Sequence, residues 1–451
     1  MQVFGSSGVR GVANEAVTPA FALRVAKAAG SVWDAPRVAL GRDTRRTGGM
    51  LANAVAAGLA SVGADVDRVG VVPTPALQAY AAREGVPAVM VTASHNPPEY
   101  NGLKLVGSDG VELSVEAIEG VEEALLAEAF DETAWDETGA DRTVEGARRE
   151  YVGELLAAVD RERIADAGLT VALDPGHGAG ALTSPEFFRE LGCRVVTVNA
   201  QRDPHFPGRD PEPVPENLSD LGRLVRASDA DVGIAHDGDA DRAIFFDENG
   251  EFVRGDATFA ALAAAELDPG DAVVSAVNVS QRLVDVCEDV GADLELTPIG
   301  STRIMTRIGQ LEAAGRTVPI AGEGNGGVIF PGYRVTRDGA YTGARFLELL
   351  AERPTSEVVA PFDGYVNVRV NVAYADESER DAMLAAAERY AERADASVTT
   401  TDGYRLDYGD AWVLARPSGT EPVVRVYAEA HDETRMRELA DALVAEMEDA
   451  R

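Results

Sequence analysis

RVALGRDTRRTGG, residues 37–49, sets the pattern by which most of the chain can be read. A short aliphatic run passes into a polar, glycine-bearing loop and then into a helical stretch. The same order returns in TVALDPGHGAG (170–180) and in AVVSAVNVSQRLVDV (272–286). A strand buried in a parallel or mixed sheet, feeding a loop and a crossover helix, reads this way. VGVVPT, AVMVTAS, RVVTVNA and DVGIAHD are further strand candidates. TASHNP and HDGDADR fall at strand carboxyl ends, where open α/β sheets place their functional loops. Three α/β units with sheets of this kind are expected.

The last hundred residues change character. YVNVRVNVAY alternates with period two, and AWVLAR and VVRVYAEA read as strands. ESERDAMLAAAERYAERA and DETRMRELADALVAEMEDA read as helices, so an α+β unit closes the chain. The acidic DETAWDETGADRTVEG (131–146) reads as a linker, with a helix from about Tyr151. Breaks near DENGE (247–251) and AERPTSE (351–357) complete the division. The expected units are 1–148, 149–250, 251–358 and 359–451.

At 451 residues, two to four domains are expected. No apolar run approaches the roughly 18 residues of a membrane span. The start, MQVFGSSGVRG, lacks a charged segment followed by an apolar one, so no secretory signal is expected. Cys193 and Cys287 lie far apart, which makes neither a disulfide framework nor a zinc motif; a reducing cytoplasm fits. The net charge of −35 is spread along the chain and argues against nucleic-acid binding. Lysine occurs only at Lys27 and Lys104, against 39 arginines. Adaptation to high salt accounts for an evenly acidic surface. A GC-rich genome accounts equally well for the scarcity of lysine.

Five loops are candidates for chemistry. In HDGDADR, Asp237, Asp239 and Asp241 alternate, and i, i+2 and i+4 side chains can converge on one hard cation. A calcium loop running from Asp237 to Glu248 is a rival, but it needs glycine where Arg242 stands. A solvated acidic turn is the plain alternative. The favoured reading is a Mg²⁺ site with positions open to a phosphate oxygen. RPSGTEP (416–422) offers Arg416, the hydroxyls of Ser418 and Thr420, and a turn at Gly419 that can form an anion nest. Arg425 can add a second guanidinium; an ordinary hairpin loop is the alternative. AGEGNGGVIF (321–330) sets Glu323 and Asn325 among glycines, which suits sugar hydroxyls or is a plain turn. In GRDTRRTGG, Arg42 and Arg45 can contact an anionic substrate or brace the start of a helix.

VTASHNPPEYNGLKLV (91–106) places Ser94 beside His95. A hydrolase dyad is disfavoured, because strand neighbours point to opposite faces and no GxSxG elbow is present. The prolines behind Ser94 break a helix rather than start one. A serine on a Pro-braced loop can instead carry a phosphoryl group.

Taken in order, FGSSGVRG (4–11), GRDTRRTGG, TASHNPPEYNGLK, FPGRDPEPVPENL (206–218), DGDADR, GEGNGG and RPSGTEP span nearly the whole chain. Together they resemble the α-D-phosphohexomutase family. The resemblance implies three topologically similar α/β domains and a C-terminal α+β domain of the TATA-box-binding-protein-like type around a central cleft. It implies a phosphoserine at Ser94 whose phosphate shares Mg²⁺ with Asp237, Asp239 and Asp241. The substrate is then a hexose phosphate, passing through a bound hexose 1,6-bisphosphate. Lys104, as acid/base, and Arg10 are implied partners of the attacking hydroxyl, with His95 bracing the loop. Glu323 and Asn325 are implied to hold sugar hydroxyls; Arg416, Ser418, Gly419, Thr420 and Arg425 are implied to grip the other phosphate. Serine is common in the family where Asn325 stands, and FGSSGVRG and the serine loop lean toward different members. A metal-dependent phosphomonoesterase and a sugar-phosphate-binding protein are the other functions weighed. A monomer or small homo-oligomer, with no nucleic-acid or membrane partner, is expected.

Overall fold

The structure is a computed structural model that describes residues 4–5, 8–419 and 421–450; Thr420 lies outside the described residues. The second unit shows the common topology most plainly. Thr170–Asp174, Arg194–Thr197 and Val232–Ala235 run parallel, with Thr170–Asp174 in the middle. Ile244–Phe246 and Phe252–Val253 then continue the sheet antiparallel. The third unit repeats this order with Ala272–Ala276, Asp293–Thr297, Ala321–Glu323, Gly327–Phe330 and Arg334–Arg337. In the first unit Arg37–Arg42, Asp65–Val71, Ala88–Val91 and Tyr100–Val106 take the first four places. The fifth is filled from the opposite direction in sequence, by Val9–Val12.

This repeat has a functional consequence. The connection from the third parallel strand to the first antiparallel strand is a tight reversal at a strand's carboxyl end in every unit. It comprises residues 92–99 in the first unit, 236–243 in the second and 324–326 in the third. The serine loop, the aspartate loop and the Glu323–Asn325 loop therefore occupy one topological position, three times over.

The fourth unit is an antiparallel sheet in the order Val366–Ala373, Val423–Ala430, Ala411–Pro417, Tyr404–Asp407, Ser397–Thr399. Two helices, Glu377–Arg393 and Glu433–Glu448, pack on it. Each starts at an aspartate that accepts from a backbone N–H three residues on: Asp376 from Glu379, Asp432 from Arg435. This N-cap is why both helices begin where DESE and DETR stand.

Several boundaries differ from expectation. The segment 131–146 is not wholly a linker, because Asp141–Thr143 pairs parallel with Asp65–Val71 and extends the first sheet. Main-chain pairing at a sheet edge gave no hydrophobic signal, since all three residues are exposed. The helix expected from Tyr151 begins at Ala147. The second sheet runs on to Val253, past 250, and the third unit's helical tail runs through Thr355–Val359 and Ala360–Phe362, past 358.

One apolar cluster runs through the first three units, joining Leu77 and Tyr80 to Tyr151, Phe187, Phe245 and Phe346. The fourth unit has its own core, around Met383, Leu406, Val426 and Leu443. It meets the third through Trp412 and Leu414 against Val277, and through Glu429, which accepts from Ser280 Oγ at 2.9 Å and the Gln281 amide at 2.6 Å.

Candidate active site

Ser94 is fully buried and held at φ +50, in the left-handed region. Two features fix this unfavourable backbone. The Ser94 amide donates to Thr92 Oγ1 at 2.9 Å. Arg45, itself buried, donates to the carbonyls of Ser94 (2.8 Å), Asn96 (2.6 Å), Pro97 (2.6 Å) and Tyr100 (3.0 Å). Its charge is balanced by Asp43 at 3.1 Å. Arg45 is therefore a clamp that shapes the serine loop, salt-bridged to Asp43 at the entry to helix Gly48–Ser61.

The aspartate loop is clasped at both ends. Arg209 donates to the His236 carbonyl at 2.5 Å, and His236 Nδ1 donates to the Arg242 carbonyl at 2.8 Å. Between them Ala240 turns to φ +57, and all three aspartates face inward. Each commits Oδ2 to protein donors. Ser94 Oγ donates to Asp237 at 2.6 Å, Thr74 Oγ1 to Asp239 at 2.6 Å, and Arg337 Nη2 to Asp241 at 2.7 Å. Lys104 Nζ donates to both Asp239 (3.0 Å) and Asp241 (2.8 Å). All three Oδ1 atoms are buried and accept nothing from the described residues. Orphaned buried carboxylate oxygens are costly, and ligand atoms of the three residues lie within 4.8 Å of one another. The set fits a hard, oxygen-seeking divalent cation.

Electrostatics point the same way. Burial, with Asp241 and Asp239 alongside, pushes the Asp237 carboxyl up to about 8. Burial also works upward on Asp241, but Arg337, Lys104 and Arg242 outweigh it and hold that carboxyl well below the usual range. Burial works to lower Lys104, yet Asp239, Asp241 and Glu112 leave it above its ordinary value and charged. Arg10 donates to Asn96 Oδ1 at 3.3 Å, and its guanidinium is lowered chiefly by burial.

His95 departs from what strand geometry predicts. Because Ser94 is left-handed and not extended, neighbouring side chains do not diverge, and His95 Nδ1 lies 3.2 Å from Ser94 Oγ. Nδ1 also accepts from Arg242 Nη2 at 3.0 Å. Arg242, then burial, holds the imidazole far below its ordinary value. A neutral ring so depressed is a poor base, and it links the serine loop to Arg242.

Glu323 and Asn325 join this cluster through the backbone: the Ala243 amide, at the end of the aspartate loop, donates to the Gly326 carbonyl at 3.0 Å. Asn325 Oδ1 accepts from the Gly327 amide at 3.0 Å, and Asn325 Nδ2 donates to Glu323 at 3.4 Å. The RPSGTEP hairpin stands apart. Arg416 and Arg425 face each other across paired strands and, with Ser418 and Gly419, line a cavity of about 960 Å³ between the first, third and fourth units. Both guanidinium groups are engaged, Arg416 with Asp402 at 2.9 Å and Arg425 with Glu421 at 2.5 Å. Ser94 and the aspartates do not line that cavity.

Comparison with known proteins agrees with this geometry. Models of the four phosphoglucomutase/phosphomannomutase domains match in order: α/β/α domain I at residues 1–132, domain II at 149–250, domain III at 254–365 and the C-terminal domain at 366–446. The chain belongs to this family. A phosphoglucomutase/phosphomannomutase of Thermococcus kodakarensis is 41% identical, over 100% of this chain and 99% of the relative. A probable phosphoglucosamine mutase of Methanopyrus kandleri is also 41% identical, over 98% and 96%. A family protein of Burkholderia thailandensis superposes with a TM-score of 0.86 at 28% identity, covering 99% of this chain and 97% of that one.

Within this phosphoglucomutase/phosphomannomutase chain, sequence reading missed Thr74, Glu112, Arg209 and Arg337 as members of the site. Thr74 follows VGVVP and Arg337 ends a strand, RVTR, with no local signature. Arg209 lies inside FPGRDPEPVPENL, a run that carries the family resemblance but no chemistry legible by itself. Arg42 remains without a contact that assigns it a role.

Proposed function

We propose that the chain is a Mg²⁺-dependent phosphohexomutase that interconverts hexose 6-phosphate and hexose 1-phosphate through phosphorylated Ser94. One observation carries this reading. A buried serine hydroxyl lies 2.6 Å from the first of three carboxylates, each with one oxygen that has no partner among the described residues, beside a buried lysine and two arginines. The three Oδ1 atoms would hold the Mg²⁺, which when bound supplies neutralisation of the phosphoryl oxygens.

The remaining roles belong to the protein. Arg45 and Thr92 hold Ser94 in its strained position, so the oxygen that carries the phosphoryl group does not wander. In the first half-reaction the bond from phosphorus to Ser94 Oγ breaks as one to the sugar hydroxyl forms. The one proton that the sugar hydroxyl loses is carried by way of Lys104 Nζ to Ser94 Oγ, and the second half-reaction runs the transfer in reverse. Glu323 and Asn325 hold sugar hydroxyls, and the RPSGTEP hairpin, Thr420 included, grips the phosphate that is not moving. Arg10 and Arg337 keep the site cationic within a protein of net charge −35.

The names of the relatives support glucose, mannose or glucosamine as the sugar. A panel of their 1- and 6-phosphates, assayed for interconversion in low and high KCl, tests both the sugar and the salt adaptation inferred from the acidic surface. Full mutase activity in Ser94→Ala supplied with a 1,6-bisphosphate would sink the mechanism. Release of inorganic phosphate without isomerisation would establish a phosphomonoesterase instead. We also place the enzyme in the cytoplasm: both cysteines are buried and unpaired, and burial pushes their thiols up to about 12. No helix among the described residues is long and apolar enough to cross a membrane.

A further inference from the structure

Glu112 has no part in the steps above, yet it is buried against the residues that perform them. It is 6% exposed and stands outside the three aspartates suited to the cation. Beyond strand Tyr100–Val106 the chain turns back through SDG. Gly110 sits there at φ +82, where a Cβ would lie 2.5 Å from the Gln78 carbonyl oxygen. Glu112 then pairs antiparallel with Val106, and the Leu113 amide donates to the Leu105 carbonyl at 3.1 Å. Paired residues share a face of the ribbon, and so do residues two apart on one strand. The turn therefore delivers the Glu112 carboxylate to the face from which Lys104 projects.

Three contacts define its place. Oε2 accepts from Ser301 Oγ of the third unit at 3.0 Å. Oε1 faces Lys104 Nζ at 4.0 Å and Arg337 Nη2 at 3.8 Å. Those two cations also donate to one and the same oxygen, Asp241 Oδ2, at 2.8 and 2.7 Å. Cations held so close, away from water, repel strongly. Burial and Arg337 both work to lower Lys104, against Asp239, Asp241 and Glu112. Because Ser301 fixes Oε2, the carboxylate cannot swing to bond one cation at the expense of the other. At 4.0 Å it attracts the ammonium without forming a hydrogen bond to it. Neither Glu112 nor Ser301 lines the cavity beside the RPSGTEP hairpin.

We propose that Glu112 is a positioning residue for Lys104. Anchored by Ser301 across the boundary between the first and third units, it holds the lysine in place against the repulsion of Arg337. Nζ then stays where one proton can pass between the sugar hydroxyl and Ser94 Oγ. This rests on the reading of Lys104 as the acid/base. A residue that acts through Lys104, and not on the substrate, lowers kcat and leaves KM alone.

Steady-state kinetics on the full chain test the proposal. Glu112→Gln keeps the side chain's size and an oxygen for Ser301, and removes the charge. It is expected to lower kcat about tenfold, with KM within about twofold. Glu112→Asp keeps the charge and should recover most of the loss. Ser301→Ala removes the anchor and should lower kcat about threefold, again at unchanged KM. In Lys104→Met, adding Glu112→Gln should cost no more than about twofold further, because the group it acts through is gone.

If Glu112→Gln keeps the parent's kcat while Lys104→Met loses it, the inference is overturned. An equal loss from Glu112→Gln with and without Lys104 overturns it too, since Glu112 would then act independently. Should Glu112→Gln not fold, Ser301→Ala decides, and an unchanged kcat there overturns the inference. If Lys104→Met itself retains the parent's kcat, the acid/base reading fails and takes the inference with it.

Discussion

The Ser94 hydroxyl donates to Asp237 Oδ2 at 2.6 Å across 143 residues of sequence, from one repeat's reversal to the next repeat's equivalent reversal. Gly238 makes this approach possible, because a Cβ there would lie 2.6 Å from the Ser94 carbonyl oxygen. Gly238→Ala must push the serine loop away from the aspartates. Misplacement by about 1 Å costs on the order of 10²-fold in rate, so mutase activity should fall by roughly that factor while the fold survives. Equal activity of the variant and the parent would show that the spacing between the loops is not critical.

Arg45 supports the serine loop from within a fully buried pair with Asp43. Removing one member of such a pair leaves the other charge uncompensated, at about 3–5 kcal/mol. Arg45→Met should destabilise the protein by that order in denaturant unfolding, and Asp43→Asn in the same chain should restore part of it. Additive losses in the double variant would mean that the two residues act independently.

Mg²⁺ should stabilise the folded protein, because it relieves three carboxylate oxygens that have no partner among the described residues and that the unfolded chain leaves in water. At a hundredfold excess over its dissociation constant the gain is about 2.7 kcal/mol. Thermal melts with and without Mg²⁺ read this directly. Asp239→Asn should abolish most of the Mg²⁺-dependent shift, and an undiminished shift in that variant would place the cation elsewhere.

Asp338 gives the stability a pH dependence separate from catalysis. It caps helix Gly339–Leu350 by accepting from the Ala340 and Tyr341 amides, and it accepts from Tyr151 Oη at 2.8 Å. Burial pushes its carboxyl up to about 6 from 3.8, and its Oδ2 has no partner among the described residues. The folded state therefore holds this proton where the unfolded state has lost it. The contribution is greatest below about pH 4 and declines as pH rises toward 6, by up to about 3 kcal/mol. Urea unfolding of the parent and of Asp338→Asn across this range should show the parent losing stability relative to the variant. Parallel curves would refute it.

The chemistry-bearing loops are legible in the sequence because their residues are compressed into short runs. HDGDADR puts three carboxylates within five residues, and only a turn is needed to bring them together. TASHNPPEYNGLK carries both Ser94 and Lys104. The partners that make these loops work are not legible, since each comes from a different unit. Thr74 and Lys104 of the first unit and Arg337 of the third converge on Asp239 and Asp241 of the second. Nothing in VGVVPT or RVTR announces this, because an arginine or threonine at a strand's end is ordinary in isolation. Strand alternation also misleads at His95, where positive φ at Ser94 replaces the extended backbone that alternation requires.

By itself the sequence determined the local grammar of this protein: three strand–loop–helix repeats, an alternating C-terminal unit, and the residue types that a phosphoryl group, a hard cation and a sugar require. Periodicity and turn chemistry act over a few residues, and a linear string records them. Tertiary structure decided that three reversals at one topological position face a common site, that Arg45 is a clamp, and that the aspartates each keep one oxygen without a partner among the described residues. Those outcomes depend on burial and on charges brought together from distant segments, where Coulomb interactions and desolvation act through space.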